Sequence, residues 1–535
     1  MRTTVWGSGG VSEQVYDRDR RVVPRWRPSR VAAQTGELDP STVARTPGFP
    51  APAPGEVEAL QSDWEQHRTP IHAANLVDAA LVLGKTELAA GAAEWLLSNG
   101  AVSSISEELA RQVLAPAVPA RSSGAQVVAI SERHRRIAAY RKLLRQVPGD
   151  PMLWVDLGLE HTALGQAEAA RTALRTALGL APDNRFVVRS ASRLYLHLRD
   201  PEQAHSVLLR TPRTRRDPWL LAAEIAAADV RGVPSRLIKS GARMLEAGTF
   251  SPRHGSELAS AVGTVEYAAG KRRQARRYFE SALRDPTENA VAQAAWYARQ
   301  NAAFALPETS LRVPLAFEAG AWVAARESRF DQAVDLAARW RQDEPFATQP
   351  YLFGSWVLSY ALGDYSAAAH LAQEGMHTNP GNPRIIANAL YCAASAGRVD
   401  AAVEWLAKLE DAIRKSPGGR SATEWEIMLL ADRGLIAFRK GDSATGRLQY
   451  RAAFALASRA GLPQYGASAF INYMREEVIA TRAFRLDERS LEQALAHYAP
   501  GTREIVGRFV ERIVAAARGV NPLPESRGPG DNRGL

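Results

Sequence analysis

One cysteine, Cys392, in a chain of 535 residues excludes any disulfide within the chain, and with it a fold held together by such staples. A reducing compartment is the natural setting for such a sequence. Cys392 lies in the apolar run Leu390 to Ala394, where a thiol packs as a small hydrophobe. Long apolar runs are lacking too: nothing approaches the roughly 18 uninterrupted apolar residues that a membrane span requires. The opening stretch MRTTVWGSGGVSEQVYDRDRR has no apolar segment of the kind a secretory signal carries. Together these absences predict a cytoplasmic protein with no membrane span. Catalytic signatures are missing as well: there is no phosphate loop, G-x-S-x-G, H-E-x-x-H or paired C-x-x-C. The stretch Gly7 to Gly10, GSGG, follows no strand and opens no helix. His370 and His377 share a helix face, but no carboxylate or cysteine completes a metal set around them. The expectation is a non-enzyme with no cofactor and no metal.

What is present is periodic. In Pro151 to Asn184, Trp154, Leu157, His161 and Leu164 form one stripe of a first helix. Gly165 permits the turn. Ala170, Leu174 and Ala177 form a small-large-small stripe on a second helix, and Pro182 ends it. The same template recurs with Ser256 as position 1 (Gly263, Gly270, Ala275, Phe279, Ala282) and with Pro314 (Phe317, Ala333, Trp340, Pro345). It recurs again with Gln349 (Leu352, Gly363, Ala368, Ala372, Pro380), Pro383 (Ile386, Gly397, Ala402, Leu406, Leu409) and Ile427 (Leu430, Gly434, Gly441, Tyr450, Ala453). A helix pair this short cannot bury its apolar face alone, so the copies must stack.

The 34-residue motif of the tetratricopeptide repeat family has its tryptophan, leucine–glycine pair, turn glycine, small residues and closing proline at these places. The stretch 151–184 resembles that family throughout, with His161 where the family has tyrosine. The resemblance implies an all-α, right-handed α-solenoid of stacked helix-turn-helix repeats that binds other proteins.

Along the chain, residues 1–55 read as a flexible N-terminal arm, from GSGG and from the proline-rich Pro47 to Gly55. Within it Trp26, between Arg25 and Arg27, reads as a docking peptide that could reach the chain's own groove. Residues 56–147 read as degenerate helical repeats, 148–480 as the solenoid, 481–520 as C-terminal capping helices and 521–535 as a disordered tail. Arg185 to Leu209 is a weaker copy, and Trp219 to Ala228 with Leu237 to Leu245 another. Between Asn289 and Pro314 the spacing is about 24 residues too long for the template, and no helix pairing can be assigned. Thr502 to Arg518 is amphipathic, with Ile505, Val506, Phe509, Val510, Ile513 and Val514 on one face.

The formal charge of +10 is a modest excess that permits acidic partners. Basic residues cluster at Arg133, Arg135 and Arg136, at Arg213, Arg215 and Arg216, and at Lys271 to Arg277. In the last cluster Arg272 pairs with Arg276, and Arg273 with Arg277, on shared helix faces. The family resemblance places Tyr267, Trp322, Phe353, Val357, Tyr360, Tyr391 and Phe438 on the inner face of the solenoid, an aromatic-lined concave groove. At the fifth position the repeats carry Val155, Ser260, Glu318, Phe353, Ala387 and Ala431, not the Lys and Asn with which some family members hold a partner's terminal carboxylate. The expected function is a scaffold or adaptor gripping a protein or peptide segment, acidic in part, in that groove. The candidate contacts are these aromatics, Arg272, Arg273, Arg276 and Arg277, and Trp26. The alternative is a nucleic-acid-associated regulator acting through the basic clusters. Nucleic acid ranks behind an acidic protein surface, because no reading module is visible.

Overall fold

Many of the described helices begin at a side chain that answers the free N–H groups of the first turn. Asn184 Oδ1 accepts from Phe186 N at 3.0 Å and Val187 N at 3.2 Å. Asp200 and Asn382 cap helices that have proline in their first turn, where its missing N–H costs nothing. Ser421 and Glu424 form a reciprocal capping box. The computed structural model describes residues 23–34, 56–83, 85–99, 110–111, 113–114, 130–248, 250–301, 303–415, 421–481, 486–498 and 501–520. Among these there is no strand. The protein is all-α, an α-solenoid of stacked helical hairpins.

The hairpins share a turn whose signature is a left-handed residue. Gly165, Gly270, Gly363, Gly397 and Gly441 have φ between 70° and 86°, and each is the fifteenth residue of its repeat. In the Pro314 copy that place is held by Ser328, with φ 58°. Counting fifteen from Arg185 reaches Arg199, with φ 60°, and from Pro218 reaches Gly232, with φ 79°. The left-handed residue therefore marks the register even where the apolar pattern is faint. The two helices of a hairpin cross closely: a Cβ at Gly158 would stand 2.1 Å from Leu174 Cδ2, and one at Gly434 2.9 Å from the Tyr450 ring.

Contacts divide the chain into two units. The first holds Pro24–His161 and Ala167–Glu224. In it the helices Glu56–Gln66, Pro70–Leu83 and Thr86–Asn99 close over Val57, Leu76, Val77, Ala92 and Leu96. Ile130–Gln146 precedes the hairpins Pro151–Ala163 with Ala167–Leu180 and Arg185–His197 with Pro201–Arg210. Several of its buried charges are paired: Arg133 with Glu160 at 2.8 Å, and Arg185 with Asp217 at 3.0 Å. The Arg185 guanidinium also lies 3.8 Å over the Trp219 ring. Residues 23–34 correct one expectation. They are not a loose part of an arm: Ser29–Gln34 is helical, Ser29 N and Oγ each donate to the Asp156 carboxylate at 2.8 Å, and Trp26 and Arg27 have no exposed surface. Trp26 is thus packed inward and is no free docking peptide, because burying an indole outweighs the freedom of a short leader. The remainder of 1–55 and the tail 521–535 lie outside the described residues.

The second unit contains Ile225–Leu535 and Thr162–Gln166. Hairpins form at Pro252–Ala268 with Arg272–Ala282, Phe317–Arg326 with Phe330–Asp343, and Pro383–Ser395 with Val399–Lys415. Another is Ala422–Arg439 with Ser443–Arg459. In the hairpin that ends with Tyr365–Thr378, the first helix, Thr348–Trp356, widens into a π-helical turn, Val357–Leu362. The overlong stretch near residue 300 is explained by a lone helix, Glu288–Gln300, followed by irregular chain and a 3₁₀ turn, Glu308–Arg312. Phe304 inserts beside Tyr297 at 4.9 Å and Phe279 at 6.2 Å, covering a face that a second helix would otherwise cover. The chain then returns through Pro463–Ala480, Glu488–Leu495 and Thr502–Ala517.

A left-handed backbone costs a residue with a Cβ roughly 1–2 kcal/mol. Nothing stands within 4 Å of a Cβ built on Gly270, so Gly270→Ala should lower stability by about 1 kcal/mol through the backbone alone. Ser328→Gly should raise it by a similar amount. Urea denaturation of the two variants beside the parent measures both signs.

Candidate partner-binding surface

The first helices of the repeats in the second unit carry the aromatic residues singled out by their position. The structure divides them. Trp322, Phe353 and Val357 are buried in one core with Ile505, Val506, Phe509, Val510 and Ile513 of the helix Thr502–Ala517. Trp322 lies 4.6 Å from Phe353, with the Arg299 guanidinium 3.8 Å over its ring. Phe438 is buried between Tyr450 and Tyr473. Tyr267 is half-buried, edge-on to Trp296 and Tyr297, and its hydroxyl donates to the Gln300 carbonyl at 3.3 Å. As partner contacts Trp322, Phe353, Val357 and Phe438 are corrected: their apolar surface is consumed by the chain's own helices, that of the first three by the amphipathic C-terminal helix.

Tyr360 and Tyr391 differ. Both are only partly buried, and both line a cavity of about 180 Å³ between the helices Val357–Leu362, Pro383–Ser395, Ala422–Arg439 and Pro463–Ala480. Their positions are locked by a polar network. The Tyr391 hydroxyl donates to Asn472 Oδ1 at 2.9 Å, and Asn472 Nδ2 donates to the Tyr360 hydroxyl at 3.0 Å. Arg475 Nη1 donates to the Tyr391 hydroxyl at 2.9 Å and to Ser395 Oγ at 3.2 Å. Arg475 has no exposed surface, and its Nε donates to Glu476 Oε1 at 2.6 Å. Arg439 reaches the same carboxylate at 3.0 Å. Burial opposes the Arg475 charge, but Glu476 and the surrounding tyrosines prevail and hold it firmly protonated. On the far side Tyr360 packs 4.4 Å from Phe509, and Arg512 Nη1 donates to the Ser359 and Tyr360 carbonyls at 3.2 Å. The wide π-turn leaves those carbonyls available, and left-handed Gly363 makes room for the guanidinium that takes them.

Sequence reasoning missed Asp432, Asn388 and Asn472, which share the cavity wall. Asp432 is buried, its Oδ2 has no hydrogen-bond partner, and burial pushes its carboxyl from 3.8 to about 7. The signal was a lone acid inside the apolar run IMLLADRGLIAF. The position-five alanines, Ala387 and Ala431, also line this cavity; their small side chains leave it open. Cys392 is buried behind Tyr391, and burial pushes its thiol to about 12.

The basic clusters fare unequally. Arg133 and Arg136 both reach Glu160, and Arg213 reaches Asp217 at 3.3 Å. Arg272, Arg273, Arg276 and Arg277 are exposed, with Arg276 paired to Glu280 at 2.8 Å. His370 lies 3.4 Å from Glu374 at the surface, and no group of three metal-ligating side chains occurs among the described residues. No helix among the described residues is long and apolar enough to cross a membrane.

Residues 359–422, which contain Tyr360 and Tyr391, match the tetratricopeptide repeat model. No curated protein matches the chain. Among solved structures, the chain is similar to the APC/C hetero-tetramer Cut9–Hcn1 at 13% identity, covering 82% of this chain and 92% of that one, with a TM-score of 0.38. It is similar to a human IFIT1 dimer with PPP-AAAA at 14% identity, covering 72% and 94%, with a TM-score of 0.36. It is similar to yeast Tom70 at 11% identity, covering 85% and 97%, with a TM-score of 0.30. All three are distant in sequence and in superposition.

Removing one side of a buried ion pair strands the other charge and costs about 3–5 kcal/mol. Arg475→Gln should therefore destabilise the protein by about 3 kcal/mol in guanidinium denaturation. A thiol held near 12 supplies almost no thiolate at neutral pH. Cys392 should stay unlabelled by an aromatic disulfide reagent in the native protein and react once the chain is unfolded.

Proposed function

With tetratricopeptide repeat sequence at 359–422 and stacked helical hairpins on either side of it, we propose that the protein is a non-enzymatic scaffold or adaptor of the cytoplasm. It holds a segment of another protein on the first-helix face of its C-terminal repeats. The observation that carries this reading is the cavity between Tyr360 and Tyr391, a stretch of the aromatic face that the last helix covers less fully than it covers Trp322, Phe353 and Val357. Two rigid aromatic rings held by a buried network offer contact area at little entropic cost. The sole cysteine, buried and uncoupled from any disulfide, suits a reducing setting. The exposed arginines 272, 273, 276 and 277 supply a second surface that attracts acidic parts of a partner.

The nucleic-acid alternative loses part of its surface, since Arg133 and Arg136 are engaged by Glu160 and Arg213 by Asp217. It predicts retention that falls steeply with salt.

The test is a nuclease-treated pull-down with the full chain, beside the double variant Tyr360→Ala, Tyr391→Ala and a variant with the four arginines changed to Gln. A protein retained by the parent should bind the tyrosine variant at least tenfold more weakly, with circular dichroism showing the helices intact. Equal retention by a folded tyrosine variant would remove the cavity from the binding surface. Retention abolished by nuclease or by moderate salt would favour the alternative.

A further inference from the structure

Asp432 differs from several other buried acids of the second unit. Glu476 holds Arg475 and Arg439. Glu424 accepts from Ser421 N and from the Tyr465 hydroxyl. Glu257 accepts from Asn289 at 3.0 Å. Asp432 is 8% exposed, has an unmet Oδ2, and lines the cavity. A buried carboxylate with no donor is costly, and folded proteins keep such groups chiefly where function uses them. Tyr360, Tyr391, Tyr450 and Tyr465 line the same cavity, and tyrosine rings attract cations. The alanines at 387 and 431 leave space, and the volume of about 180 Å³ compares with the ~150 Å³ in which a dry protein cavity takes up benzene.

We propose that this cavity is a binding site for a primary alkylammonium group, with Asp432 as its counter-ion and the tyrosine rings as its walls. The group arrives on a free amine or on a lysine side chain of the segment held by the scaffold; only the second source rests on the scaffold reading. A compact ammonium on a thin stem suits the small, tyrosine-walled space. The cavity's remaining charged group is Arg384, half-buried on the helix Pro383–Ser395. The Arg475 charge behind Tyr391 is answered by Glu476.

The charge of Asp432 also sets a pH dependence. A carboxyl raised to about 7 in the folded protein destabilises the empty protein progressively as pH rises from about 4 to 7, because the unfolded chain releases the proton more readily. A bound ammonium favours the ionised form, so below pH 7 binding releases a proton, and affinity rises with pH up to about 8.

The experiment measures binding of n-butylammonium, butylguanidinium, acetyl-Gly-Lys-Gly-amide and its ε-acetylated form to the full chain by calorimetry at pH 6.5 and pH 8. The parent should bind butylammonium or the lysine peptide, reject the acetylated peptide, and release a proton at pH 6.5 only. Asp432→Asn should bind at least tenfold more weakly and yet melt at a higher temperature at pH 8, the opposite of what loss of a structural contact does. Ala431→Leu, which fills the cavity and keeps the acid, should also bind at least tenfold more weakly. Equal binding of butylammonium and the peptide identifies a free amine as sufficient; binding of the peptide alone identifies a lysine side chain. The proposal is overturned by absence of binding to either, by preference for butylguanidinium, or by unchanged binding in Asp432→Asn or in Ala431→Leu. Amine binding with no protein captured in the pull-down would sink the scaffold reading alone, and the converse would sink this inference alone.

Discussion

The close crossing of two short helices in each hairpin is the constraint on which the rest depends. Neither helix is long enough to be stable by itself, so each needs a neighbour against its apolar stripe, at a distance that small residues permit. Gly158 against Leu174 and Gly434 against Tyr450 show how little space remains at the crossing. The turn that reverses the chain must then be tight, and a left-handed residue at its end provides that. Where glycine is absent, as at Ser328 and Arg199, the chain still adopts the strained conformation, because packing on both sides outweighs roughly 1–2 kcal/mol of backbone cost.

The same logic decides the fate of the aromatic face. Apolar rings on the first helices are a hydrophobic debt as well as a binding opportunity. The C-terminal helix Thr502–Ala517 covers Trp322, Phe353 and Val357 with its own apolar stripe, and Arg512 is pinned to the carbonyls of the π-turn beside them. What remains open is the stretch where Tyr360 and Tyr391 are held by Asn472 and Arg475. That stretch is rigid for a polar reason: hydroxyls, an amide and a guanidinium hydrogen-bond to one another inside the protein. Asp432, on the wall of the same cavity, is left out of this network, and the contrast gives the cavity its chemical character.

Part of the surface was legible in the residues alone. Repeat register placed Tyr360 and Tyr391 on the first-helix face, and the alanines at 387 and 431 were visible as small residues where others carry larger ones. Asp432 interrupts an apolar run, which is a readable sign. What could not be read was whether an aromatic at a facing position meets solvent or another helix, since that depends on residues more than a hundred positions away. Phe353 and Tyr360 lie on the same element and look alike in sequence, and the segment around Ile505–Ile513 covers one far more than the other. The basic clusters behave in the same way: Arg133 and Arg272 are equally conspicuous, but only the first finds a buried carboxylate in Glu160.

The sequence by itself determined the all-α class, the helix pairs and their turns, because period, capping residue and left-handed turn are local properties of a short stretch. The division into two units, the packing of Trp26 and Ser29 against the repeats, the lone helix at Glu288–Gln300, and the return of the last helix onto the aromatic face were decided only in three dimensions. Each of these is a contact between distant segments, won by whichever apolar surface was most costly to leave in water.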